Sequence, residues 1–282
     1  MVRPLHIACL QTRPMPTIAA AIEEAVPMIQ DAASAGAQIV FLPEYCGGLR
    51  SDGARLCPPA EAEADHPFLA KVREAAAEKG LWINIGSIAV KGPGGKIINR
   101  GFMIDDKGTV TGRYDKIHLF DVRLSESAVY RESETVEPGS SASVYETPFA
   151  RIGQTICYDL RFPGLYRDLA KAGAEILCCP AAFTKTTGQV HWHVLNRARA
   201  IENTRFMVSA CAVGEIDGGG ESYGHSLVVG PWGDVLADGS DLPGVIHAQL
   251  DLDLVEATAG RIPSLGHDRA YTVGASVERD VA

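Results

Sequence analysis

Apolar and polar residues follow two rhythms along this chain, and the switches between them mark its elements. The segment "LHIACLQT" reads as a first strand, and residues 17–35 as a helix with Thr17 at its N-cap and Gly36 as its stop. A strand "AQIVFLPE", a helix "HPFLAKVREAAAEKG" and a strand "LWINIGSIAV" follow. The turn-rich "KGPGG" and "DDKGT" predict hairpins linking that strand to "KIINRGFMID" and "VTGRYDKIHLF". Residues 117–140 read as one long loop, a feature that compact domains more often use than leave idle.

The second half repeats the alternation, with a strand over 150–157, a helix over 163–172, a strand "AEILCCP", a helix near 188–203, a strand "FMVSACAV" and short strands over 225–250. This predicts an α/β fold with mixed strand pairing. "EIDGGGES" reads as a hairpin tip, and no linker, repeat or low-complexity tract interrupts the chain. A single domain over 1–282 is therefore expected, ending in a tail from about residue 260 that loses periodicity and wraps over the body or a partner subunit.

Composition narrows the function classes. In 282 residues, 46% hydrophobic content supplies a sizeable core. The balance of 26 basic against 35 acidic side chains leaves a net charge of −9, so nothing attracts phosphate backbones or anionic lipid, and neither nucleic acid nor membrane is an expected partner. No apolar run reaches the roughly 18 residues a spanning helix needs, which predicts a soluble, cytoplasmic protein. The seven cysteines are odd in number and scattered, a pattern of reduced thiols rather than of a disulfide framework.

One of those thiols stands at a corner. In "ARIGQTICYDLRFPGLYRDLAKAG" a strand-like run stops at Cys157, and Pro163 and Gly173 fit the first turn and the stop of a helix. Strand ends form the usual ligand crevice of an α/β sheet. Most buried cysteines are merely small hydrophobes, and Cys9, Cys178, Cys179 and Cys211 fit that role. A nucleophilic thiol also needs a base. His191 and His193 sit two positions apart on a helix, so they point about 200° away from each other and share no ligand. His118 and His225 remain formal possibilities. Glu44 ends "AQIVFLPE" as Cys157 ends its own run, and Lys116 ends "VTGRYDK", so three strand ends offer chemistry to one crevice.

Together "FLPEYCGG", "YDKIHLFDV" and the block around Cys157 resemble the signature blocks of the nitrilase superfamily of carbon–nitrogen hydrolases, in order, spacing and flanking residues. The likeness extends through "PAAFTKTTGQVHWHVLNRARAIEN" and "SYGHSLVVGPWGDVLAD", and is greatest to the Nit branch. It implies a four-layer α-β-β-α sandwich. It also implies Glu44 as general base, Lys116 as catalytic lysine, Cys157 as nucleophile, and a second glutamate ahead of Pro138-Gly139, for which Glu132 is chosen and Glu134 held in reserve. Arg161, Phe183 and Thr187 match positions that line the substrate pocket in Nit relatives, and Tyr158 is expected to join them through its backbone N–H, which with Lys116 would hold the oxyanion. Two departures stand out: Gly164 replaces a glutamate many relatives carry, and "DVRLSESA" lacks a proline often found there.

The activity so implied is cleavage of a small carboxylate-bearing amide through a thioester, with deaminated glutathione amidase ahead of omega-amidase and N-carbamoyl amidohydrolase. A catalytically silent scaffold is the non-enzyme alternative. No cofactor is expected. No metal is expected either, since the histidines and cysteines show no zinc spacing. The family's habit implies a homodimer or a higher homo-oligomer.

Overall fold

Each half of the chain folds as strand-helix-strand-helix-strand and then turns antiparallel. The computed structural model describes residues 2–126 and 128–274. The main strands are β1 (Pro4–Gln11), β2 (Ile39–Phe41), β3 (Trp82–Lys91), β4 (Ile97–Ile104), β5 (Val110–Asp115), β6 (Val144–Glu146), β7 (Arg151–Gln154), β8 (Ile176–Cys178), β9 (Phe206–Ser209), β10 (Leu227–Val229), β11 (Val235–Asp238) and β12 (Gly244–Asp251). The helices are α1 (Ile18–Ser34), α2 (Pro67–Lys79), α3 (Pro163–Lys171), α4 (Lys185–Asn203) and α5 (Asp253–Arg261). One six-stranded sheet runs β12-β1-β2-β3-β4-β5 and the other β6-β7-β8-β9-β10-β11. In each, three adjacent strands are parallel (β1, β2, β3 and β7, β8, β9) and the flanking strands antiparallel.

Period-two alternation within buried strands creates the layers. Leu5, Ile7 and Cys9 of β1 face the second sheet, meeting a core that includes Ile152, Ile176, Phe206 and Val208. Ala8 and Leu10 point the other way, onto Ala25 and Ile29 of α1 and Phe68 and Val72 of α2. On the far side Leu177, Cys179 and Met207 meet Tyr166 and Leu169 of α3 and Trp192 of α4. The result is the α-β-β-α sandwich. Among the described residues no helix is long and apolar enough to cross a membrane.

Buried polar side chains also join the sheets. Asn84 Nδ2 donates to Gln154 Oε1 at 3.1 Å, and Gln154 Nε2 donates to the Gly86 carbonyl at 3.2 Å. Gly101 has to lack a side chain here, because a Cβ would collide with the Gln154 amide and come within 2.6 Å of the Gly86 oxygen.

Helix ends follow the sequence reading: Thr17 caps α1 by accepting the Ala20 N–H at 3.2 Å, and Gly36 takes φ +85° just beyond it. The strands are shorter than predicted. β2 stops at Phe41 rather than Glu44, β5 at Asp115 and β7 at Gln154 rather than Cys157. In each case the chain leaves the ladder just before its polar residue and presents that residue at the sheet end. Residues 117–140 are likewise not featureless: Asp121–Arg123 pairs with Val129–Arg131, and a 3-10 turn follows over Glu132–Glu134. "EIDGGGES" is the expected tip, between Val213–Glu215 and Glu221–Tyr223. Beyond α5 the tail lies on the body, where Arg167 and Lys171 of α3 bind Asp268 and Ser264 Oγ donates to the Glu202 carbonyl. Residues 275–282 of that tail lie outside the described residues.

Candidate active site

Three chain departures converge at one end of the sandwich. Glu44, Lys116, Glu132 and Cys157 are all buried, each at most 9% exposed. They share one cavity of about 610 Å³, counting the space open to solvent at its mouth. Lys116 Nζ donates to Glu44 Oε1 at 3.0 Å and to the two Glu132 oxygens at 3.1 and 2.9 Å. Each carboxylate is also held by main chain, Glu44 Oε2 by the Ala182 N–H at 2.8 Å and Glu132 Oε2 by the Phe120 N–H at 2.6 Å. Neither glutamate is free to swing away from the ammonium.

Cys157 opens a short 3-10 segment, Cys157–Arg161, with φ +49°, a left-handed conformation uncommon for non-glycine residues and often found where function requires it. Its N–H bonds the Pro180 carbonyl at 2.9 Å. Asp159 ties the turn down, accepting from Ile156 N at 2.8 Å, Tyr114 Oη at 2.7 Å and His118 N at 3.0 Å.

Electrostatics sets the resting protonation. Burial alone would pull the Lys116 ammonium down, but Glu132 and Glu44 outweigh it and hold its pKa well above the ordinary lysine value. Burial pushes the Cys157 thiol up, and the adjoining Glu44 carboxylate pushes the same way against the opposing pull of Lys116. The resting site therefore holds a lysinium and a neutral thiol. Cys9, by contrast, is pushed up to about 12 by burial alone.

Tyr158, Phe183 and Thr187 line the cavity, together with Phe120, Tyr130, Ile216 and the Gly219–Gly220 tip. Arg161 is not among the lining residues. Its guanidinium stands behind them, 5.9 Å from the Tyr158 ring centre and 5.4 Å from that of Phe183, beside His191. Glu134 is exposed and pairs with Arg131, leaving Glu132 as the glutamate inside the cluster. His118 stacks on Phe162 and bonds Asp159, and neither it nor His225 lines the cavity.

Sequence reasoning missed Asn99 and Tyr45. Asn99 Nδ2 donates to Glu44 Oε1 at 2.9 Å and Glu132 Oε1 at 3.4 Å, while its main-chain carbonyl accepts the Lys116 main-chain N–H at 3.0 Å. Tyr45 Oη reaches Glu132 Oε1 at 3.4 Å. A lone amide inside the apolar strand "KIINRGFMID" was the available signal for Asn99. Among the described residues, one trio of possible metal ligands, His193, His225 and Asp238, lies apart from the cavity lining.

Comparison with known proteins agrees with this architecture. A deaminated glutathione amidase of Yersinia enterocolitica is 38% identical over 240 residues, covering 84% of this chain and 83% of that one. An omega-amidase of Xenopus tropicalis is 35% identical over 242 residues, covering 86% of this chain and 87% of its own. Among solved structures, the Caenorhabditis elegans NitFhit protein superposes with a TM-score of 0.86 at 33% identity, covering 94% of this chain, which spans only 65% of the NitFhit length. Saccharomyces cerevisiae Nit3 follows at TM-score 0.82 and 26% identity, covering 93% of this chain and 95% of its own. The family model described as carbon-nitrogen hydrolase matches residues 6–260, nearly the whole described chain. With that match, and the sandwich it accompanies, the chain belongs to the carbon–nitrogen hydrolase family.

Proposed function

We propose that the protein is a cysteine amidohydrolase that cleaves the terminal amide of a small carboxylate-bearing substrate. The observation that carries this reading is the buried Glu44–Lys116–Glu132 cluster opening on the same cavity as Cys157. Glu44 accepts the thiol proton as sulfur attacks the amide carbon. Lys116 and the N–H of Tyr158, in the first turn after the nucleophile where no intrahelical acceptor exists, hold the oxyanion. Glu44 returns its proton to the departing nitrogen, ammonia leaves and a thioester remains. Water, deprotonated by the same carboxylate, attacks the thioester; the acid departs and the sulfur regains a proton. Glu132 fixes Lys116 throughout, and its second oxygen is already occupied by the Phe120 N–H.

Deaminated glutathione is the preferred substrate, with α-ketoglutaramate second and N-carbamoyl compounds third; support comes from the names of relatives at 35–38% identity. Charge at the mouth fits an anionic substrate: the adjoining cleft carries Arg55 and Arg123, besides Arg131 that is paired with Glu134, and it shares Leu56, Phe120, Tyr130 and Glu132 with the catalytic cavity. Arg161 serves by packing behind Tyr158 and Phe183. None of the seven cysteines is bonded to another, which supports a reducing, cytoplasmic setting. The apolar strip Val190, Val194 and Ile201 on the exposed side of α4, each at least 48% exposed, supports a homodimer.

Ammonia release measured over deaminated glutathione, α-ketoglutaramate, N-carbamoyl compounds and simple nitriles tests the reading, with Cys157→Ala as the blank. Hydrolysis in the Cys157→Ala protein would refute the mechanism. A tenfold preference in kcat/KM for an N-carbamoyl compound, about 1.4 kcal/mol, would transfer the assignment to carbamoylase chemistry.

A further inference from the structure

Three side chains that the amidase reading does not use meet beside α4. His193 comes from the helix, His225 from the turn before β10, and Asp238 from the end of β11. Asp238 stands between the two rings: His193 Nε2 lies 2.9 Å from its Oδ2, and His225 Nδ1 lies 2.9 Å from its Oδ1. All three ligand atoms fall within 4.8 Å of one another.

We propose that His193, His225 and Asp238 bind one divalent transition-metal ion of the zinc class, fastening α4 to the β10–β11 hairpin. Two imidazoles and one carboxylate are a donor set that zinc and its neighbours favour. Bonds of about 2.0–2.2 Å in a tetrahedron place donor atoms about 3.4 Å apart, so side-chain rotations on the order of 1 Å would admit an ion.

The donors are fixed by more than their mutual bonds. His225 takes φ +53°, its N–H donates to the Ser240 carbonyl at 2.7 Å, and its own carbonyl accepts Trp192 Nε1 at 2.7 Å. Its ring stacks on Tyr223, with centres 4.5 Å apart and planes 24° apart. Asp238 Oδ1 also accepts the Ser240 N–H at 2.9 Å. A histidine held in a left-handed conformation by two main-chain bonds, its ring braced on an aromatic, is a pre-oriented ligand.

Access is open, since the three side chains are between 25% and 33% exposed and a solvent water can fill the fourth position. Protons balance without any redox partner. In the ion-free form each ring nitrogen facing Asp238 donates its hydrogen to that carboxylate. On binding, these hydrogens move through solvent to His193 Nδ1 and His225 Nε2, and the freed lone pairs and one carboxylate oxygen ligate the ion. The site stands whether or not the amidase reading does. It does adjoin the cavity wall: Thr187 belongs to α4, and the Tyr223 N–H bonds the Phe183 carbonyl at 2.8 Å.

The experiment uses the full chain carrying Cys157→Ala, stripped with a chelator and titrated with Co²⁺ in the visible region, then competed with Zn²⁺. Expected are one equivalent per chain, nitrogen-oxygen ligand-field bands without a thiolate charge-transfer band, and a Kd of about 10 μM or tighter. His193→Gln and Asp238→Asn, both partly exposed and near-isosteric changes, should each weaken binding by about a hundredfold or more. Zinc should raise the Tm of the parent and of neither variant. Affinity no better than about 1 mM, or equal binding by parent and both variants, would mean an adventitious ion only and would overturn the proposal.

Discussion

Replacing Lys116 with methionine keeps the side chain out to Cε and removes the cation between two buried carboxylates. At about 3 Å and an effective dielectric of 20, each attraction is worth about 5 kcal/mol before desolvation is counted. Breaking a buried pair by deleting one partner costs about 3–5 kcal/mol in practice, because the remaining charge stays buried without compensation. Here two carboxylates remain, bridged only by Asn99, so one must take up a proton and its pKa rises in the folded state. A folded-state pKa raised above the unfolded value of about 4.3 gives stability that is fully present below that pH and lost as pH rises through the folded value. The Lys116→Met deficit is therefore smallest at low pH and grows toward pH 8. The parent shows no matching trend from its lysine, which is held well above its ordinary pKa and stays charged across that range. Thermal unfolding of both proteins at pH 5 and pH 8, at one scan rate, reads the effect, with a loss of about 10 °C expected at pH 8. A Tm within about 2 °C of the parent at both pH values, or a deficit that widens as pH falls, would refute the reasoning.

Other consequences follow from the same geometry. Glu44→Gln should cut kcat by about 10²–10⁴ as the base is lost, with far less loss of Tm than Lys116→Met because Lys116 keeps Glu132. The same change removes a charge that pushes the Cys157 thiol up, so the pH midpoint of iodoacetamide labelling should move down; an upward move would contradict the electrostatic account. Asn99→Leu deletes hydrogen bonds to both carboxylates, worth about 1.5–3 kcal/mol for charged acceptors, and should lower kcat about ten- to a hundredfold at little change in KM. Unchanged kcat would reduce Asn99 to a packing role. Gly101→Ala drives a Cβ against the Gln154 amide and should destabilise by about 1–3 kcal/mol, visible as a lower urea midpoint.

The local elements of this protein are legible in its sequence because their causes are local. Thr17 and Gly36 bound α1, Gly-rich turns make the hairpins, and period-two runs make strands. Glu44, Lys116 and Cys157 were legible for a related reason: each closely follows a strand, and strand ends form the usual ligand crevice of an α/β fold, although Glu44 and Lys116 leave one sheet and Cys157 the other. The four-layer arrangement came from family resemblance alone, since buried strands apolar on both faces do not say which face meets helices and which meets another sheet.

Tertiary structure decided the rest. Glu132 and Glu134 are two residues apart on one short turn, and only the packing of that turn sends the first to Lys116 and leaves the second exposed with Arg131. Arg161 follows Cys157 closely, yet the 3-10 turn directs its guanidinium behind the pocket wall. His193, His225 and Asp238 show no ligand spacing because a helix, a turn and a strand end each supply one of them. The physical reason is common to all three cases. Hydrophobic periodicity and turn chemistry act over a few residues and fix what each segment becomes, whereas the direction of a polar side chain at a chain reversal, and the distant groups it meets there, depend on how those finished segments pack against one another.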